Sequence, residues 1–536
     1  MSEAARDVAS RFLETAKRRA DALALIPPKG HDVVSFRTLA RDVDRLAAGF
    51  RRAGIKPGDR AALLVPPSRD FFACTFALFR LGAVPVLIDP GIGMGNMGRC
   101  LAEAKPAAFI GSRKAHLARL LARWAPDAKI SVVADGKIPG MWNTRELRGI
   151  GSHETFTPVP LTSDTPAAVL FTSGSTGAPK GAVYTHGVFA AQMDMLRSMF
   201  AIEEGEVSLP TFPLFALFDV ALGMTAILPD MDFTRPGQVD PANIVIPLQK
   251  HHVQQLFGSP ALLERVGRYG EKHGIALPDL TRVMSAGAPV PARVIKRFLK
   301  MLEPGVQIFT PYGATESLPV ALIGSQEILG ETAALTAQGR GVCVGKPAAG
   351  VEVAVIRITD DRIPAWSDGL KVPAGEIGEI VVKGPVVTRE YFGLPEATAA
   401  AKIADGADVR HRMGDLGYLD ETGRLWFCGR KAHRVKTAGG ELYTIPVEGV
   451  FNAHPAVKRT ALVGVKEKPV LCVELEAGAA VEREALTREL LKLAGSHPHT
   501  GAIKTILYHP AFPVDIRHNA KIRREQLAEW ARAELS

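Results

Sequence analysis

The most informative segment of this chain lies at residues 171–181, where the sequence is Phe171-Thr172-Ser173-Gly174-Ser175-Thr176-Gly177-Ala178-Pro179-Lys180-Gly181. It holds three glycines, four hydroxyl side chains and a lysine, and it follows the apolar residues 167–170. The apolar run predicts a buried strand, so the glycine-rich segment is predicted to form the loop at its end. Small residues let backbone N–H groups approach an anion, and a lysine adds a mobile positive charge. The segment therefore predicts a polyphosphate site, with a flexible surface turn as the alternative.

This loop differs from a Walker loop, because Gly181 follows Lys180 where a Walker loop has Ser or Thr.

The surrounding chain has 536 residues, of which 47% are hydrophobic and 23% charged, a composition typical of a globular protein with several structural units. The net charge of +9 comes from scattered basic residues, which predict a solvated surface, with an anionic partner or substrate as the alternative.

The cysteines and the N-terminal sequence predict a cytoplasmic location. The five cysteines are widely spaced and form no metal-ligand pattern, so we expect reduced thiols. Charged residues interrupt any signal-peptide pattern near the N-terminus, and no apolar run is long enough to span a membrane. We therefore expect a protein that is not integral to a membrane, and nothing in the pattern indicates a nucleic-acid partner.

The order of apolar patterns predicts an α/β fold with mostly parallel sheets and helices on both faces. From residue 351 to residue 430, short β-rich runs alternate with Gly/Pro turns and predict a small distorted barrel, and the last hundred or so residues return to a mixed α/β pattern. The individual elements predicted near the N-terminus are helices at 8–25, 37–54 and 71–81, and strands at 60–65 and 84–88.

Six further motifs follow the glycine-rich segment. They are Ser285-Ala286-Gly287-Ala288-Pro289, Tyr312-Gly313-Ala314-Thr315-Glu316, Gly375-Glu376-Ile377-Gly378-Glu379-Ile380, Met413-Gly414-Asp415-Leu416-Gly417-Tyr418, Gly429-Arg430-Lys431 and Asn519-Ala520-Lys521-Ile522. In this order the chain resembles the adenylate-forming superfamily of acyl-CoA synthetases, peptide-synthetase adenylation domains and luciferases, over about residues 30–525. The resemblance implies an N-terminal adenylation core at 1–429, with sheet subdomains to about 345 and a β-barrel-like part at about 346–429. It also implies a hinge at 430–432 and a small, mobile α+β lid at 433–536, with the active site between them.

The resemblance also implies the chemistry, in which ATP activates a carboxylate as an acyl-adenylate and Mg²⁺ neutralises phosphate charge. The implied roles are as follows: Thr172, Ser173, Gly174, Ser175, Thr176, Gly177 and Lys180 hold the β- and γ-phosphates; Ala286, Gly287, Ala288, Pro289, Tyr312 and Gly313 surround the adenine; Asp415 and Arg430 bind the ribose; Thr315 lies beside the α-phosphate; Glu316 and Thr176 hold Mg²⁺; and Lys521 contacts the substrate carboxylate and the α-phosphate.

The residues alone leave simpler structural roles open for several of these positions. Ser173 and Ser175 could form local turn bonds, and Thr315-Glu316 could cap a helix. Arg430 could be a surface residue of the hinge, and Lys521 could belong to an exposed basic run.

Four departures from the acyl-CoA synthetase pattern weigh against a thioester-forming step but leave adenylation in place. Ala216 follows Phe215 where those enzymes usually carry histidine, and Ala520 replaces a common glycine. Ala432 stands two positions after Arg430, where Asp or Lys is usual, and Glu441 stands where CoA ligases often have arginine.

The segment Pro513-Val514-Asp515-Ile516-Arg517-His518-Asn519-Ala520-Lys521-Ile522 resembles the olefin-biosynthesis β-lactone synthetases. These bacterial enzymes adenylate a 2-alkyl-3-hydroxy fatty acid, whose own 3-hydroxyl then displaces AMP. The resemblance implies partner enzymes of the same hydrocarbon pathway: a thiolase-like enzyme, a reductase and a β-lactone decarboxylase.

A pocket for the two alkyl chains is predicted around Phe212, Phe215, Ala216 and Phe218, with Leu217 beside them, although the same residues could equally be core. His186 is a candidate base for the 3-hydroxyl, with a structural role as the favoured alternative. Other functions left open are a medium- or long-chain acyl-CoA ligase and an acyl-AMP ligase that delivers to a carrier protein; a regulatory nucleotide-binding protein without catalysis is least favoured.

Overall fold

The computed structural model of this chain describes residues 7–28, 32–154, 156–172, 179–476, 478–479, 481–515 and 521–536. Within these ranges the helices are α1 (Val8–Arg18), α2 (Phe36–Arg52), α3 (Arg69–Leu81), α4 (Met94–Ala104), α5 (Arg113–Ala122), α6 (Thr144–Gly151), α7 (His186–Phe200), α8 (Pro213–Ala221), α9 (Ala242–Lys250), α10 (Pro260–His273), α11 (Ala292–Leu299), α12 (Ser325–Glu327), α13 (Ala333–Ala337), α14 (Pro395–Ala401), α15 (Thr444–Phe451), α16 (Arg483–Ala494) and α17 (Arg524–Glu534).

The strands of the same ranges are β1 (Leu23–Ile26), β2 (Val34–Ser35), β3 (Arg60–Leu64), β4 (Val84–Ile88), β5 (Ala108–Gly111), β6 (Ile130–Val133), β7 (Trp142–Asn143), β8 (Pro166–Thr172), β9 (Lys180–Thr185), β10 (Val207–Pro210), β11 (Thr225–Ile227), β12 (Gln255–Phe257), β13 (Arg282–Met284), β14 (Gln307–Ala314), β15 (Ser317–Gly324), β16 (Val342–Pro347), β17 (Glu352–Ile356), β18 (Gly378–Lys383), β19 (Lys402–Asp405), β20 (Asp408–Leu419), β21 (Leu425–Arg430), β22 (Val435–Thr437), β23 (Gly440–Leu442), β24 (Val457–Val465), β25 (Lys468–Leu475) and β26 (Thr505–Tyr508).

The first sheet has the strand order β7-β6-β5-β3-β4-β8-β9. Its strands run parallel except for β9, which returns antiparallel to β8. Both faces are covered, because residues that alternate along β3, β4 and β8 pack into two different hydrophobic clusters. The prediction of mostly parallel strands with helices on both faces is confirmed for this part of the chain.

The second sheet has the order β17-β18-β20-β21-β16-β15-β14-β13-β12-β10-β11-β1-β2, with β19 on β20. It is parallel from β1 and β11 through β14, apart from the edge strand β2, and antiparallel from β15 onward. The β-rich section that the sequence predicts as a small barrel forms the antiparallel end of this sheet, because β16 pairs with both β15 and β21. Among the described strands the hydrogen-bonded path stays open and does not close on itself.

The C-terminal part contains a separate sheet, β24-β25-β26, packed against α15, α16 and α17. Its core includes Val447, Phe451, Leu471 and Leu490, which are at most 1% exposed. The strand β21, in the second sheet, ends at Arg430, so the chain leaves that sheet at the predicted hinge. The exact domain boundaries stay a prediction.

Of the elements predicted near the N-terminus, four are confirmed and one is wrong. The structure confirms the helices α2 and α3 and the strands β3 and β4. The single helix predicted over residues 8–25 is wrong, because α1 ends at Arg18 and β1 begins at Leu23. In β1, Leu25 pairs with Ala226 of β11, so a long-range strand partner decides the conformation of a segment whose apolar spacing also suits a helix.

Two predictions about cysteines and membranes concern the whole chain. All five cysteines are buried and free. Among the described residues, no helix combines the length and the apolar character needed to cross a membrane.

Candidate active site

A cavity of about 1940 Å³ lies at the carboxyl ends of the parallel strands of both sheets. Ligand sites of open α/β folds form at this edge, where backbone and side chains of several strands converge. Among the residues that the sequence singles out for ATP, Mg²⁺ and the reacting carboxylate, those in the cavity wall are Lys180, Ala286, Gly287, Ala288, Pro289, Tyr312, Gly313, Thr315, Glu316, Asp415, Arg430 and Lys521. The structure therefore brings together motifs that are spread over more than half of the chain.

The hairpin β14–β15 positions Thr315 and Glu316 in its tight turn. A Cβ atom on Gly313 would lie 2.7 Å from the Ser317 carbonyl oxygen, so the close approach of the two strands requires glycine there. The hydroxyl of Tyr184 donates to the Thr315 carbonyl oxygen at 2.6 Å and fixes the turn against the first sheet.

Glu316 is held by a tyrosine that the sequence analysis does not identify. The Tyr391 hydroxyl donates to Glu316 Oε1 at 2.6 Å, and Tyr391 is 6% exposed. Burial and the neighbouring Glu316 carboxylate raise the pKa of Tyr391, so the hydroxyl stays a donor at all ordinary pH values. The Nζ atom of Lys180 lies 5.2 Å from the centre of the Tyr391 ring. Tyr391 thus links the carboxylate and the lysine of two different motifs.

A buried lysine, Lys402, also belongs to this part of the site. The Nζ atom of Lys402 is 3.4 Å from Thr388 Oγ1, and burial lowers the pKa of Lys402 to about 7 even though Glu316 opposes the shift. Lys402 pairs with His411 across β19 and β20, and burial lowers the pKa of His411 as well. Neither Tyr391 nor Lys402 belongs to any of the sequence motifs, so a single sequence gives no signal that would have found them.

Asp415 and Arg430 face each other from neighbouring strands β20 and β21. Arg430 Nη1 lies 2.8 Å from Asp415 Oδ1, and the Tyr312 hydroxyl donates to Asp415 Oδ2 at 2.6 Å. Asp415 is 3% exposed, and burial raises its pKa although Arg430, Tyr312 and Lys521 each act to lower it. The carboxylate is therefore fixed at the cavity wall, where it can accept hydrogen bonds from a ligand with adjacent hydroxyls.

The small-residue turn after β13 forms another part of the wall. Ser285 donates its N–H to the Phe309 carbonyl oxygen at 2.9 Å, and the chain then turns through Gly287, whose φ of 95° lies in the left-handed region. Such a turn without bulky side chains offers a flat surface, which suits an aromatic base.

Lys521 belongs to the C-terminal part of the chain and reaches the same cavity. Its positive charge acts to lower the pKa of Asp415, so the ammonium lies within electrostatic range of that carboxylate. Its backbone N–H donates to Asp515 Oδ1 at 3.0 Å, and Val514 forms an antiparallel bridge with Ile522. These contacts fix the backbone at Lys521.

The centre of the glycine-rich segment, which holds Ser173, Gly174, Ser175, Thr176 and Gly177, lies outside the described residues. Its two ends are described: Thr172 pairs with Lys180 in the β8–β9 register, so the segment connects two antiparallel strands at the cavity edge. Within the part of the chain that the structure describes, no group of three or more His, Cys, Asp or Glu side chains forms a metal site. Glu316 is a carboxylate at this edge that could bind a cation together with phosphate oxygens.

The apolar side of the cavity is lined by aromatic residues of α8 and of the strand β12. Phe212, Phe215 and Phe218 lie in the wall, with Leu217 beside them, and the rings of Phe215 and Phe257 stack at 4.2 Å. The prediction for Ala216 is wrong, because this residue is fully buried and packs into the core behind the helix. Ala216 precedes the buried Val220 by one helical turn, and this face points away from Phe215 and Phe218.

His186 does not reach the cavity wall. It is fully buried at the start of α7, with its ring 5.9 Å from that of Phe79, and burial lowers its pKa to about 4. The structural role is therefore the one that the geometry supports.

Of the departures on the lid side, Glu441 makes a local ion pair, and beside Ala432 the neighbouring Lys431 makes another. Glu441 accepts from Arg434 Nε at 2.9 Å, and Lys431, which precedes Ala432, lies 3.1 Å from Glu379. The negative charge that stands in place of the common arginine is thus neutralised within the chain.

Comparison with known proteins gives a consistent result. A family model described as "AMP-binding enzyme" matches residues 12–392. The chain is 49% identical to the olefin beta-lactone synthetase of Stenotrophomonas maltophilia over 99% of this chain and 98% of that protein. It is 48% identical to the olefin beta-lactone synthetase of Xanthomonas campestris pv. campestris over 98% and 97%, respectively. A feruloyl-CoA synthase of Amycolatopsis is 30% identical over 82% of each chain.

Among solved structures, the amide bond synthetase McbA of Marinactinospora thermotolerans superposes with a TM-score of 0.79. It covers 98% of this chain and 99% of its own, at 23% identity, and this similarity shows the fold alone.

Proposed function

The chain belongs to the family of AMP-binding enzymes, and we propose that it uses ATP to close a 2-alkyl-3-hydroxy fatty acid into a β-lactone. The overall reaction converts the hydroxy acid and ATP to the β-lactone, AMP and pyrophosphate. The observation that carries the proposal is the whole-length identity of 49% and 48% to two olefin beta-lactone synthetases, against 30% over 82% of the chain for a CoA-forming relative.

The nucleotide would occupy the polar half of the cavity. Its ribose hydroxyls would donate to Asp415, which the Tyr312 hydroxyl and the Arg430 guanidinium hold in place from two sides. The adenine would lie between Tyr312 and the turn at Ala286 to Pro289, and Lys180 would neutralise phosphate charge at the start of β9. We also assign the residues of the glycine-rich segment as ligands of the phosphates.

The residues present fit a Mg²⁺ ion held by one carboxylate and by phosphate oxygens, which is the usual arrangement for this cation. Glu316 supplies the carboxylate, and the Tyr391 hydroxyl occupies only its Oε1 atom, which leaves Oε2 for other partners. Thr176 is the proposed hydroxyl ligand. A bound Mg²⁺ would offset the negative charge of the phosphates as pyrophosphate leaves.

In the first half-reaction a carboxylate oxygen of the substrate attacks the α-phosphorus and pyrophosphate departs. Two anions must meet, so positive charge has to lie between them. Lys521 lies in the cavity wall within electrostatic range of Asp415 and would stabilise this charge, while Thr315 would contact the α-phosphate. The lysine acts through its charge and forms no covalent bond.

In the second half-reaction the 3-hydroxyl oxygen attacks the acyl carbon, its proton is released, and the bond to AMP breaks. The adenylate makes AMP a good leaving group, and the site has to fold the substrate so that the hydroxyl and the carbonyl carbon meet. The apolar wall formed by Phe212, Phe215 and Phe218 keeps water away from the adenylate, which would otherwise hydrolyse. The substrate implies partner enzymes, among which a thiolase-like enzyme and a reductase would make it and a β-lactone decarboxylase would use the product.

A CoA ligase is the second candidate, because several relatives with CoA-forming names are 24–30% identical to the chain. The two candidates differ in one product. The test is a reaction of the purified protein with ATP, Mg²⁺ and a racemic 2-alkyl-3-hydroxy fatty acid, with and without CoA, followed by NMR and mass spectrometry. We expect a β-lactone and AMP without CoA, whereas an acyl-CoA formed only when CoA is present would overturn the proposal. The matched acid without the 3-hydroxyl is the control, and it should give no lactone.

A further inference from the structure

The cavity is about 1940 Å³ in volume, roughly twice the upper end of the ~300–1,000 Å³ range of small-molecule sites. Beyond the nucleotide-binding half, the wall includes pairs of successive residues at the carboxyl ends of three neighbouring strands. The pairs are Leu63 and Leu64 in β3, Leu87 and Ile88 in β4, and Leu170 and Phe171 in β8.

Successive side chains of a strand point to opposite faces of its sheet. Leu63, Leu87 and Leu170 accordingly pack into the hydrophobic cluster on one face, whereas Ile88 and Phe171 belong to the cluster on the other. Leu64 packs against the second cluster too. Because the cavity touches both members of every pair, it bends around the strand ends and extends along both faces of the first sheet.

The two extensions differ in their walls. The first, which we call the aromatic arm, is lined by Phe189, Leu217, Phe218 and Phe257. The rings of Phe189 and Phe218 lie 6.0 Å apart. This arm lies on the face covered by α3, α7 and α8.

The second extension, which we call the methionine arm, lies between α4 and α5 on the opposite face. It is lined by Met94, Met97, Ala115, Ala118 and Trp124. Its wall is mainly apolar, and unbranched methionine side chains adapt to an alkyl chain more easily than branched ones. Two polar residues, Glu103 and Lys114, also belong to this wall, and burial raises the pKa of Glu103 toward the neutral form. Met94 is 60% exposed, so the methionine arm reaches the protein surface.

We propose that the methionine arm is a binding site for one alkyl chain of the substrate and that the aromatic arm binds the other; this rests on the proposed function. The two chains of a 2-alkyl-3-hydroxy acid leave adjacent carbon atoms, so both cannot follow one channel. A cavity that divides at the edge of a sheet suits this branch point. The open end at Met94 lets the chain in the methionine arm vary in length.

The test uses one bulky substitution in each arm and a matched control. Ala118→Trp fills the methionine arm, and Leu217→Trp fills the aromatic arm. Ala122→Trp adds the same side chain to the same helix at an exposed position outside the cavity wall. The substrates are 2-alkyl-3-hydroxy acids in two series, in which either the C2 chain or the C3 chain is shortened while the other stays long.

We expect Ala118→Trp to lower kcat/KM at least about tenfold for substrates in which one particular chain is long, a typical discrimination by a filled apolar pocket. Shortening that chain should restore the rate. Leu217→Trp should show the same dependence on the other chain, and Ala122→Trp should match the wild type. The proposal is overturned if both arm variants respond to the same chain, or if Ala118→Trp behaves like Ala122→Trp.

Two further measurements distinguish a failure of the two-arm proposal from a folding defect and from a failure of the proposed function. ATP–pyrophosphate exchange with the doubly shortened acid shows whether each variant folds and adenylates, since this acid needs neither arm. Release of AMP and formation of β-lactone are recorded separately. Chain-dependent AMP release without any β-lactone would refute the proposed cyclisation but support the two arms, whereas β-lactone formation without chain dependence would do the reverse.

Discussion

Replacing Tyr391 with phenylalanine removes one hydroxyl that anchors Glu316 and leaves the ring under Lys180 in place. The lost hydrogen bond is 2.6 Å long and joins a buried donor to a carboxylate. Such bonds to charged groups contribute about 1.5–3 kcal/mol. We therefore expect Tyr391→Phe to lower the free energy of unfolding by about this amount in urea titrations.

The same loss should weaken the proposed binding of Mg²⁺, because Glu316 would no longer be held in one orientation. With a factor of ten for every ~1.36 kcal/mol, the Mg²⁺ concentration for half-maximal ATP–pyrophosphate exchange should rise about tenfold to a hundredfold. Saturating Mg²⁺ should restore most of the rate, which separates positioning from direct catalysis.

The matched control is Tyr418→Phe. The Tyr418 hydroxyl is equally buried but donates at 2.9 Å to a neutral acceptor, the Arg340 carbonyl oxygen, outside the cavity wall. This variant should lose only about 0.5–1.5 kcal/mol of stability and keep the Mg²⁺ dependence of the wild type. If Tyr391→Phe lost stability but kept an unchanged Mg²⁺ requirement, the bond would be purely structural and the reasoning on Glu316 would be refuted.

Four further substitutions test other parts of the account. Lys521→Ala should abolish adenylation and leave ATP binding, measured by calorimetry, nearly intact; loss of ATP binding would contradict its role at the α-phosphate. Glu316→Ala should remove Mg²⁺-dependent exchange, and an unchanged rate would reject the metal role. Asp415→Asn should raise the KM for ATP at least about tenfold, and an unchanged KM would exclude Asp415 from nucleotide binding. Lys402 has a pKa of about 7 in the folded protein and about 10.4 when unfolded, so between these pH values the unfolded chain binds one more proton and the stability of the wild type rises with pH. In urea titrations at pH 7.5 and 9.5, Lys402→Met should lose this rise in stability. An unaltered rise would show that Lys402 is not its source.

The polar part of the candidate site could be predicted from the sequence because its residues lie in short motifs at strand ends. The Thr315-Glu316 turn and the Asp415 motif each carry their own local signal of glycine and acidic residues. Parallel strands end at one edge of a sheet, so such motifs converge whatever the length of chain between them. The structure adds the contacts among them, such as the bond from Tyr312 to Asp415.

The features that the sequence did not predict depend on long-range packing, which leaves no local pattern. Leu25 is a strand residue only because Ala226 lies beside it, and Lys402 is buried only because β19 pairs with β20. Ala216 follows Phe215 directly, yet the helix turns it to the opposite face. Tyr391 reaches Glu316 across 75 residues of sequence. In each case the neighbour that decides the role is distant in the chain.

The central claim is that the carboxylate is activated by AMP and that the substrate's own hydroxyl then displaces it. The most direct measurement uses a 2-alkyl-3-hydroxy acid labelled with ¹⁸O in both carboxylate oxygens, incubated with ATP and Mg²⁺ without CoA. Mass spectrometry should find one ¹⁸O in AMP for each β-lactone formed, with the second ¹⁸O in the lactone carbonyl and an unlabelled ring oxygen. Labelled AMP accompanied only by the regenerated acid, or a lactone formed without label in AMP, would contradict the account.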